Sequence, residues 1–380
     1  MDMNVYFDNA ATTKVRDEAI DAMARVMREE YGNPSSTHCM GRRAVGELDR
    51  ARKSVADALQ AKPAEVYFTS GGTESNNWAI LGCAQALFRN GKHVITSAIE
   101  HDSVTEPMRK LQNDGWDVTT LAPDSSGRIP VQSFAEALRP DTAFASIMLI
   151  NNETGAQNPV EEFAAEIKRR SFKTVLHTDT VQGFCKTPFT VKSLGAQLVT
   201  VSAHKIHGPK GAGALYVKDG LKLPPLLLGG SQEREKRAGT EALPAIVGFG
   251  EAARLGSIEC AETHASVSKL RDYIAGRIAA ELPNAVVIGS DGSPFILSVS
   301  LPGHKSEVLM SFLESEGICV SKSAACKKGA RSRVLEAMRL RNDVIDGAIR
   351  VSFSRYNTPE EAEYFVNALK SASQRLFRAL

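Results

Sequence analysis

The chain has 380 residues, of which 43% are hydrophobic and 24% are charged, and its formal net charge is +2. This length predicts two domains of an ordinary globular protein. The near-neutral charge gives no reason to expect nucleic-acid or membrane binding, and no apolar run approaches the length of a membrane span. Six cysteines at irregular spacings, without a CxxC pair, argue against a disulfide framework or a zinc site. The N-terminus has neither a basic leader nor an apolar stretch, so we expect a reducing, cytoplasmic location.

Between residues 60 and 255, short apolar runs alternate with longer amphipathic segments, which is typical of strands and helices in alternation. The runs are rich in Val, Ile, Leu and Thr and mostly lack polar alternation, as in strands buried on both faces. The predicted strands are Val66–Thr69, His93–Ala98, Ala145–Ile150, Thr174–Thr178, Leu198–Ser202 and Ala214–Val217. The predicted helices include Glu74–Phe88, Ser103–Asp114 and Val160–Phe172. We therefore predict an α/β fold, with a mainly parallel sheet flanked by helices in a large domain of residues 15–255.

From about residue 256 the pattern becomes that of a smaller α+β domain. The predicted elements are a helix at Ala265–Glu281, strands at Phe295–Ser300, Ile318–Val320 and Ala348–Phe353, helices at Ser306–Glu316 and Arg333–Met338, and a last helix from Thr358. Thr358 and Pro359, followed by two glutamates, form a strong helix start: a capping hydroxyl, proline at the first helical position and acids in the first turn. We assign residues 1–14 and 256–380 to this small domain.

Polar residues follow five consecutive strands of the large domain. They are Ser70–Glu74, Glu100 and His101, Asn151–Glu153, Asp179 and Gln182, and His204 and Lys205. In open α/β sheets, ligands bind beyond the carboxyl ends of the strands. Any one of these groups could be an ordinary polar loop, but together they predict a single crevice.

The residue types in this crevice indicate anion binding and amine chemistry. The glycine-rich helix start at residues 70–74 offers N–H groups and a favourable dipole to an anion, although a simple capped helix has the same pattern. Lys205, at the mouth of a buried sheet, suits a Schiff base. Asp179 suits a pyridinium nitrogen, or else a cap or buried ion pair. His101 suits ring stacking, or else a structural hydrogen bond. His204 and His207 have HxxH spacing without a third ligand, so no metal site is predicted.

Motifs along nearly the whole chain resemble one family in their order. They are YFDNAATT, GNPSSTH, TSGGTESNN, EHDSV, NNETG, DxxQ, SAHKIHGPKGAGALYV, RAGTE, SAAC and IRVSFSR. The chain resembles the cysteine desulfurases of the NifS/IscS type, in the class-V aminotransferase family. That resemblance implies the aspartate-aminotransferase fold, which is fold type I, with pyridoxal 5'-phosphate as cofactor and L-cysteine as substrate. No single motif is decisive, but the ordered set is specific.

The resemblance also implies a role for each matching residue. Lys205 would hold the cofactor covalently and move protons, and Cys326 would attack the substrate sulfur as a thiolate, with His101 as a third catalytic residue. Cofactor contacts are implied for Gly72, Thr73, His101, Asn152, Asp179, Gln182, Ser202, His204, Lys205 and Thr240. Arg350 would bind the substrate carboxylate, with Asn152 nearby. Thr240 would reach the phosphate of a neighbouring subunit, which implies a homodimer.

The implied reaction releases alanine and leaves a persulfide on Cys326. The persulfide sulfur would pass to an acceptor protein, a scaffold or sulfur carrier, for iron–sulfur cluster assembly or tRNA thiolation. Selenocysteine lyase, or another pyridoxal-phosphate lyase or aminotransferase of the same fold, is the alternative within enzymes. A non-catalytic partner on this fold is disfavoured, since the residues that the chemistry needs are all retained.

Cys326 lies in an unusually basic stretch, with Lys322 before it and Lys327 and Lys328 after it. A basic setting can keep a thiol ionised and nucleophilic, although a plain surface loop would have the same composition. We hypothesise that these lysines lower the pKa of the thiol, attract an acidic acceptor, or do both.

Overall fold

The computed structural model describes residues 4–170, 172–289, 292–322 and 331–376. The strands are β1 (Val5–Tyr6), β2 (Val66–Thr69), β3 (His93–Ser97), β4 (Asp117–Leu121), β5 (Thr142–Ser146), β6 (Val175–Asp179), β7 (Leu198–Ser202), β8 (Gly213–Val217), β9 (Val286–Ile288), β10 (Ile296–Ser300), β11 (Ile318–Cys319), β12 (Ser321–Lys322) and β13 (Ala348–Ser352). The helices are α1 (Asp17–Glu29), α2 (Cys39–Leu59), α3 (Gly72–Leu87), α4 (Asp102–Asn113), α5 (Val131–Ala137), α6 (Val160–Arg169), α7 (Val191–Leu194), α8 (Gln232–Glu235), α9 (Leu243–Glu281), α10 (Ser306–Ser315), α11 (Arg333–Ala337), α12 (Asn342–Asp346) and α13 (Pro359–Arg375). None of the helices in these ranges is long and apolar enough to cross a bilayer.

The centre of the fold is a seven-stranded sheet in the order β2-β8-β7-β6-β5-β3-β4. Six of these strands run in the same direction, and β8 runs opposite to its neighbours β2 and β7. Helices cover both faces, since Val94 and Ile95, adjacent on β3, belong to apolar clusters on opposite sides. Strands in such a sheet have continuous apolar sequences because helices cover both faces and neither face meets water. The predicted α/β fold with a mainly parallel sheet is confirmed.

A second, antiparallel sheet lies in the C-terminal part, in the order β12-β13-β10-β9. It has an apolar cluster of its own, built from this sheet, the second half of α9, α10 and α13. Val5 and Phe7 from the N-terminus join that cluster, and β1 pairs in parallel with β11. At the start of α13, Thr358 accepts from the N–H of Glu361, whose carboxylate accepts from the N–H of Thr358, so the predicted helix start is confirmed.

The helix predicted at Ala265–Glu281 begins much earlier than the sequence indicates, at Leu243. Glycines in its first half, such as Gly250, obscure the helical pattern because glycine is a poor helix former. Gly250 is needed for packing: a Cβ there would lie 2.6 Å from the Cα of Ala51 on α2. The predicted domain boundary at residues 255–256 falls inside this continuous helix, and the division into two domains stays a prediction.

One strand prediction needs correction, and one strand of the central sheet was not predicted. The strand predicted at Ala145–Ile150 is wrong in its limits, because β5 covers Thr142–Ser146 and the chain then leaves the sheet. The residues from Ala143 to Ile150 are all buried, so hydrophobicity alone could not show where strand pairing stops. Strand β4 at Asp117–Leu121 was not predicted; it lies at the edge of the sheet and is only partly buried.

Candidate active site

A cavity of about 510 Å³ opens at the carboxyl ends of the central parallel strands. Ten of the predicted site residues line it: Gly72, Thr73, His101, Asn152, Asp179, Gln182, Ser202, His204, Lys205 and Arg350. Thr240 is exposed and does not line this cavity. Cys326 lies outside the described residues. The structure therefore brings together the strand ends that the sequence predicted to form one crevice.

The glycine-rich segment forms a tight cradle at the start of α3. Gly71 has a φ of 152°, which residues with a side chain rarely adopt, and a Cβ on Gly72 would lie 2.9 Å from Cγ2 of Val181. The Oγ atom of Ser202 is buried beside this cradle and has no hydrogen-bond partner among the described residues. An unpartnered buried hydroxyl next to a helix N-terminus is suited to an anionic group.

Asp179 ends β6 and is held rigidly inside the cavity. One of its carboxylate oxygens accepts from Nδ2 of Asn76 at 2.7 Å, and the other accepts from the N–H of Val181 at 2.9 Å. The same Nδ2 of Asn76 donates to Oγ of Ser103 at 2.8 Å. Asn76 and Ser103 were not singled out from the sequence, although both lie within the quoted motifs.

His101 caps the start of α4 and has a defined orientation. Its Nδ1 accepts from the N–H of Ser103 at 3.1 Å. Because that nitrogen is an acceptor, a neutral ring carries its proton on Nε2. The His101 ring can therefore make this structural hydrogen bond and stack on a planar ring at the same time.

The amine of Lys205 lies in the same cavity and donates to the carbonyl oxygens of Ala10 and Ala11, at 2.5 and 2.8 Å. Burial, reinforced by the charge of Arg350, lowers the pKa of Lys205 to about 8, against the opposing effect of Asp179 and Asp8. An amine with this pKa is neutral in about a tenth of the molecules at pH 7, a far larger fraction than for an ordinary lysine, and this neutral fraction can act as a nucleophile or a proton acceptor.

His204 contributes polarity to the cavity without charge. Burial and the neighbouring charges of Lys205, Lys210 and Lys186 lower the pKa of His204 to about 4, so the ring is neutral at physiological pH. Its Nδ1 is 3.2 Å from Oγ1 of Thr12. A neutral imidazole here can donate or accept one hydrogen bond but cannot neutralise an anion.

Arg350 is a buried guanidinium, 2% exposed, on β13 of the small sheet. It donates to the carbonyl oxygen of Asn152 and to a carboxylate oxygen of Asp8, each at 2.9 Å. Its Nε has no partner among the described residues. Arg350 therefore joins the small sheet, the N-terminal segment and the segment that follows β5 at the cavity wall, and it retains capacity to bind a carboxylate.

Two further acids of the cavity carry raised pKa values. Burial raises the pKa of Glu100 to about 8, against hydrogen bonds donated by Ser97 and by the N–H of Met148. Burial also raises the pKa of Glu153 to about 7, against a hydrogen bond from Ser332. The sequence placed both acids at strand ends but assigned neither a role.

The described basic residues on either side of Cys326 in the chain form ion pairs with acidic residues. Lys322 pairs with Glu307 at 2.6 Å. After Cys326, Arg331 pairs with Asp346 at 2.8 Å and Arg333 pairs with Asp102 at 2.9 Å. Lys327 and Lys328 lie outside the described residues. An ion-paired Lys322 offers little net charge to a thiol, so the hypothesis that basic residues lower its pKa now depends on the other two lysines.

Comparison with known proteins decides the family. The model of the family described as "Aminotransferase class-V" matches residues 5–365. The chain belongs to the class-V aminotransferase family. The chain is 40% identical to the cysteine desulfurase IscS of Methanosarcina thermophila, over 98% of this chain and 92% of that protein. It is 38% identical to the putative cysteine desulfurase IscS 1 of Bacillus subtilis, over 98% and 99% of the two chains.

Solved structures agree with this class-V aminotransferase assignment. A structure titled "NIFS-LIKE PROTEIN" superposes with a TM-score of 0.93 at 37% identity, covering 98% of this chain and all of that one (100%). The NifS-like protein of Rickettsia africae superposes with a TM-score of 0.87 at 27% identity, over 97% of this chain and 99% of that one. The resemblance to NifS/IscS-type proteins and the expected fold type are confirmed, and the chain is an enzyme.

Proposed function

We propose that this enzyme is a cysteine desulfurase that uses pyridoxal phosphate to remove sulfur from L-cysteine, giving alanine and a persulfide on Cys326. The observation that carries the proposal is the buried amine of Lys205, with its pKa near 8, in one cavity with a fixed Asp179 and a glycine cradle at a helix N-terminus. The similarity to proteins named cysteine desulfurases supports the choice of substrate.

The residues of the cavity fit this cofactor. Lys205 offers an amine for a covalent bond, and Asp179 offers a carboxylate for a ring nitrogen. The unpartnered hydroxyl of Ser202, with Gly72 and Thr73 at the helix start, matches a phosphate. His101, Asn152, Gln182 and His204 supply the remaining polar and planar surfaces of the cavity. When bound, pyridoxal phosphate supplies an electron sink that stabilises negative charge on the substrate carbon.

The protein residues then have separable tasks. Lys205 accepts and returns protons, Asp179 keeps a ring nitrogen protonated, and Arg350 orients the substrate by its carboxylate. The thiolate of Cys326 attacks the sulfur of L-cysteine: an S–S bond forms, the C–S bond breaks, and the carbon receives a proton to give alanine. The sulfur is oxidised as the carbon is reduced, so the step needs no external oxidant.

The proposal extends to partners and location. We infer a homodimer in which Thr240 contacts the cofactor of a neighbouring subunit, because Thr240 is exposed and lies away from the cavity of its own chain. Arg237, three residues earlier, pairs with Glu74 on α3 at 2.8 Å, and this ion pair anchors the segment that leads to Thr240. The sulfur acceptor would be a scaffold or carrier protein, and the location would be cytoplasmic.

The proposed function is tested by the products of the wild-type enzyme. Purified protein incubated with pyridoxal phosphate and L-cysteine should release alanine without a reductant in the first turnover. Mass spectrometry should find one added sulfur on the peptide that contains Cys326. Alanine formation from L-selenocysteine but not from L-cysteine would contradict the proposal and favour a selenocysteine lyase.

The Arg350→Lys variant should bind L-cysteine more weakly. Lysine retains the charge but cannot make the paired hydrogen bonds of a guanidinium, so we expect KM for L-cysteine to rise about 10- to 100-fold. Steady-state kinetics measure this change. Arg341→Lys is the matched control, because the side chain of Arg341 is 75% exposed and, among the described residues, its ion pair is with nearby Asp343. A reduced kcat with an unchanged KM would contradict a role in binding substrate.

A further inference from the structure

Lys186 is a buried lysine that the proposed chemistry does not use. It is 6% exposed and lies in the turn after β6, with its Nζ 5.8 Å from the ring centre of Phe295. Burial, together with the charges of Lys205 and Arg350, lowers the pKa of Lys186 to about 7. Burying an amine is costly, so a lysine retained in such a place requires an explanation.

An ion pair does not explain this lysine. Within the described ranges, no carboxylate lies within salt-bridge distance of Lys186. The carboxylate that shares a small neighbouring cavity with it, Glu259, is already paired with both Arg16 and Arg355. The hydrogen bond that the structure gives to its Nζ is instead to a neutral group of the active site, Oε1 of Gln182, at 3.3 Å.

Gln182 connects Lys186 to Lys205. Its Nε2 donates to the carbonyl oxygen of Ala10 at 3.0 Å, and the same carbonyl accepts from Nζ of Lys205 at 2.5 Å. Four residues therefore form one chain of contacts, in the order Lys186, Gln182, Ala10 and Lys205. Both ends of the chain are amines, and its middle lines the cofactor cavity.

The Ala10 carbonyl fixes which way the Gln182 amide faces. A carbonyl can only accept, so it requires the amide nitrogen, and the amide oxygen is left facing Lys186, whose amine can donate whether it is protonated or neutral. Gln182 is 5% exposed, so water does not readily replace either partner. Without Lys186, the amide oxygen would lose its donor and the side chain would lose one of its two anchors.

We propose that Lys186 is a positioning residue that fixes the Gln182 amide and, through the shared Ala10 carbonyl, the place from which the Lys205 amine meets the cofactor. This inference rests on the proposed function, since it assumes that pyridoxal phosphate occupies the cavity. It assigns Lys186 no contact with substrate or cofactor.

The first test compares Lys186→Met with Lys192→Met. Methionine preserves the apolar stem of Lys186 and removes its donor, whereas Lys192 is exposed on α7 and serves as the control. We expect Lys186→Met to weaken pyridoxal phosphate binding about tenfold, measured by fluorescence titration, and to shift the visible absorbance of the bound cofactor. Lys192→Met should leave both unchanged. Unchanged cofactor affinity and absorbance in Lys186→Met would overturn the inference.

A double-mutant cycle separates positioning from general destabilisation. In a Gln182→Leu background, Lys186→Met should have little further effect on cofactor affinity, because its target is gone. Additive losses would mean that Lys186 does not act through Gln182, and the inference fails.

If Lys186→Met does not fold, Lys186→Arg and Lys186→Gln replace it. Arg keeps the charged donor and can use the neighbouring cavity of about 30 Å³, so it should bind the cofactor more tightly than Gln. Equal affinities would overturn the inference.

The same series distinguishes this inference from the proposed function. A wild-type enzyme that binds pyridoxal phosphate but forms no alanine from L-cysteine would defeat the proposed function and leave the Lys186 test intact. A wild-type enzyme that forms alanine, with no response of cofactor binding to Lys186→Met, would defeat only the inference.

Discussion

Lys205→Ala should retain the fold, lose covalent attachment of pyridoxal phosphate and lose turnover of L-cysteine. Removing proton transfer alone should reduce turnover by about 10²- to 10⁴-fold, and the loss of the covalent anchor adds to this. The effect follows from the position of the amine of Lys205, which lies just after β7 in the same cavity as Asp179. The pKa of this amine is lowered to about 8. Borohydride treatment followed by mass spectrometry of the Lys205 peptide measures the covalent bond.

The control for this experiment is Lys218→Ala, because Lys218 is exposed at the end of β8. It should retain both the reduced adduct on Lys205 and full turnover. A reduced adduct of the same stoichiometry in Lys205→Ala, located on another lysine, would contradict the assignment. Lys186 would be the first residue to examine in that case, since its pKa is also lowered, to about 7.

Cys326→Ser should separate cofactor chemistry from sulfur transfer. Cys326 is not among the residues proposed to hold pyridoxal phosphate, so the variant should bind the cofactor and change its absorbance on addition of L-cysteine. A serine hydroxyl cannot form a persulfide, so release of alanine and sulfide should fall to background. Measuring absorbance, alanine and sulfide in one sample distinguishes these steps.

Cys319→Ser is the matched control for this second experiment. Cys319 is an exposed thiol on β11, a few residues before Cys326 in the chain. Its replacement should leave alanine release unchanged, because the proposed role belongs to one thiol rather than to any accessible thiol nearby. Sulfide release by Cys326→Ser at the wild-type rate would contradict the proposed mechanism.

The sequence predicted the cavity well where the site follows directly from strand order. Asp179 and Ser202 are the last residues of β6 and β7, and Lys205 follows within one turn. Parallel strands bring their carboxyl ends to one edge, so residues far apart along the chain meet there without further information. The predicted strand before Asn152 was less accurate, because β5 ends earlier than its apolar pattern indicates. An irregular buried segment connects β5 to Asn152, which lines the cavity.

By itself, the sequence determined the α/β class, the strand ends that form the site and the residues whose chemistry suits pyridoxal phosphate. Only the tertiary structure decided that Asp8 and Ala10, near the N-terminus, contact Arg350 and Lys205. It also decided that Lys186 supports Gln182. Strand patterns and motifs report local periodicity and residue type, whereas these contacts join segments whose proximity depends on how the two sheets and the N-terminal segment pack together. Burial then sets the pKa of each amine, and burial is a property of the folded chain rather than of any motif.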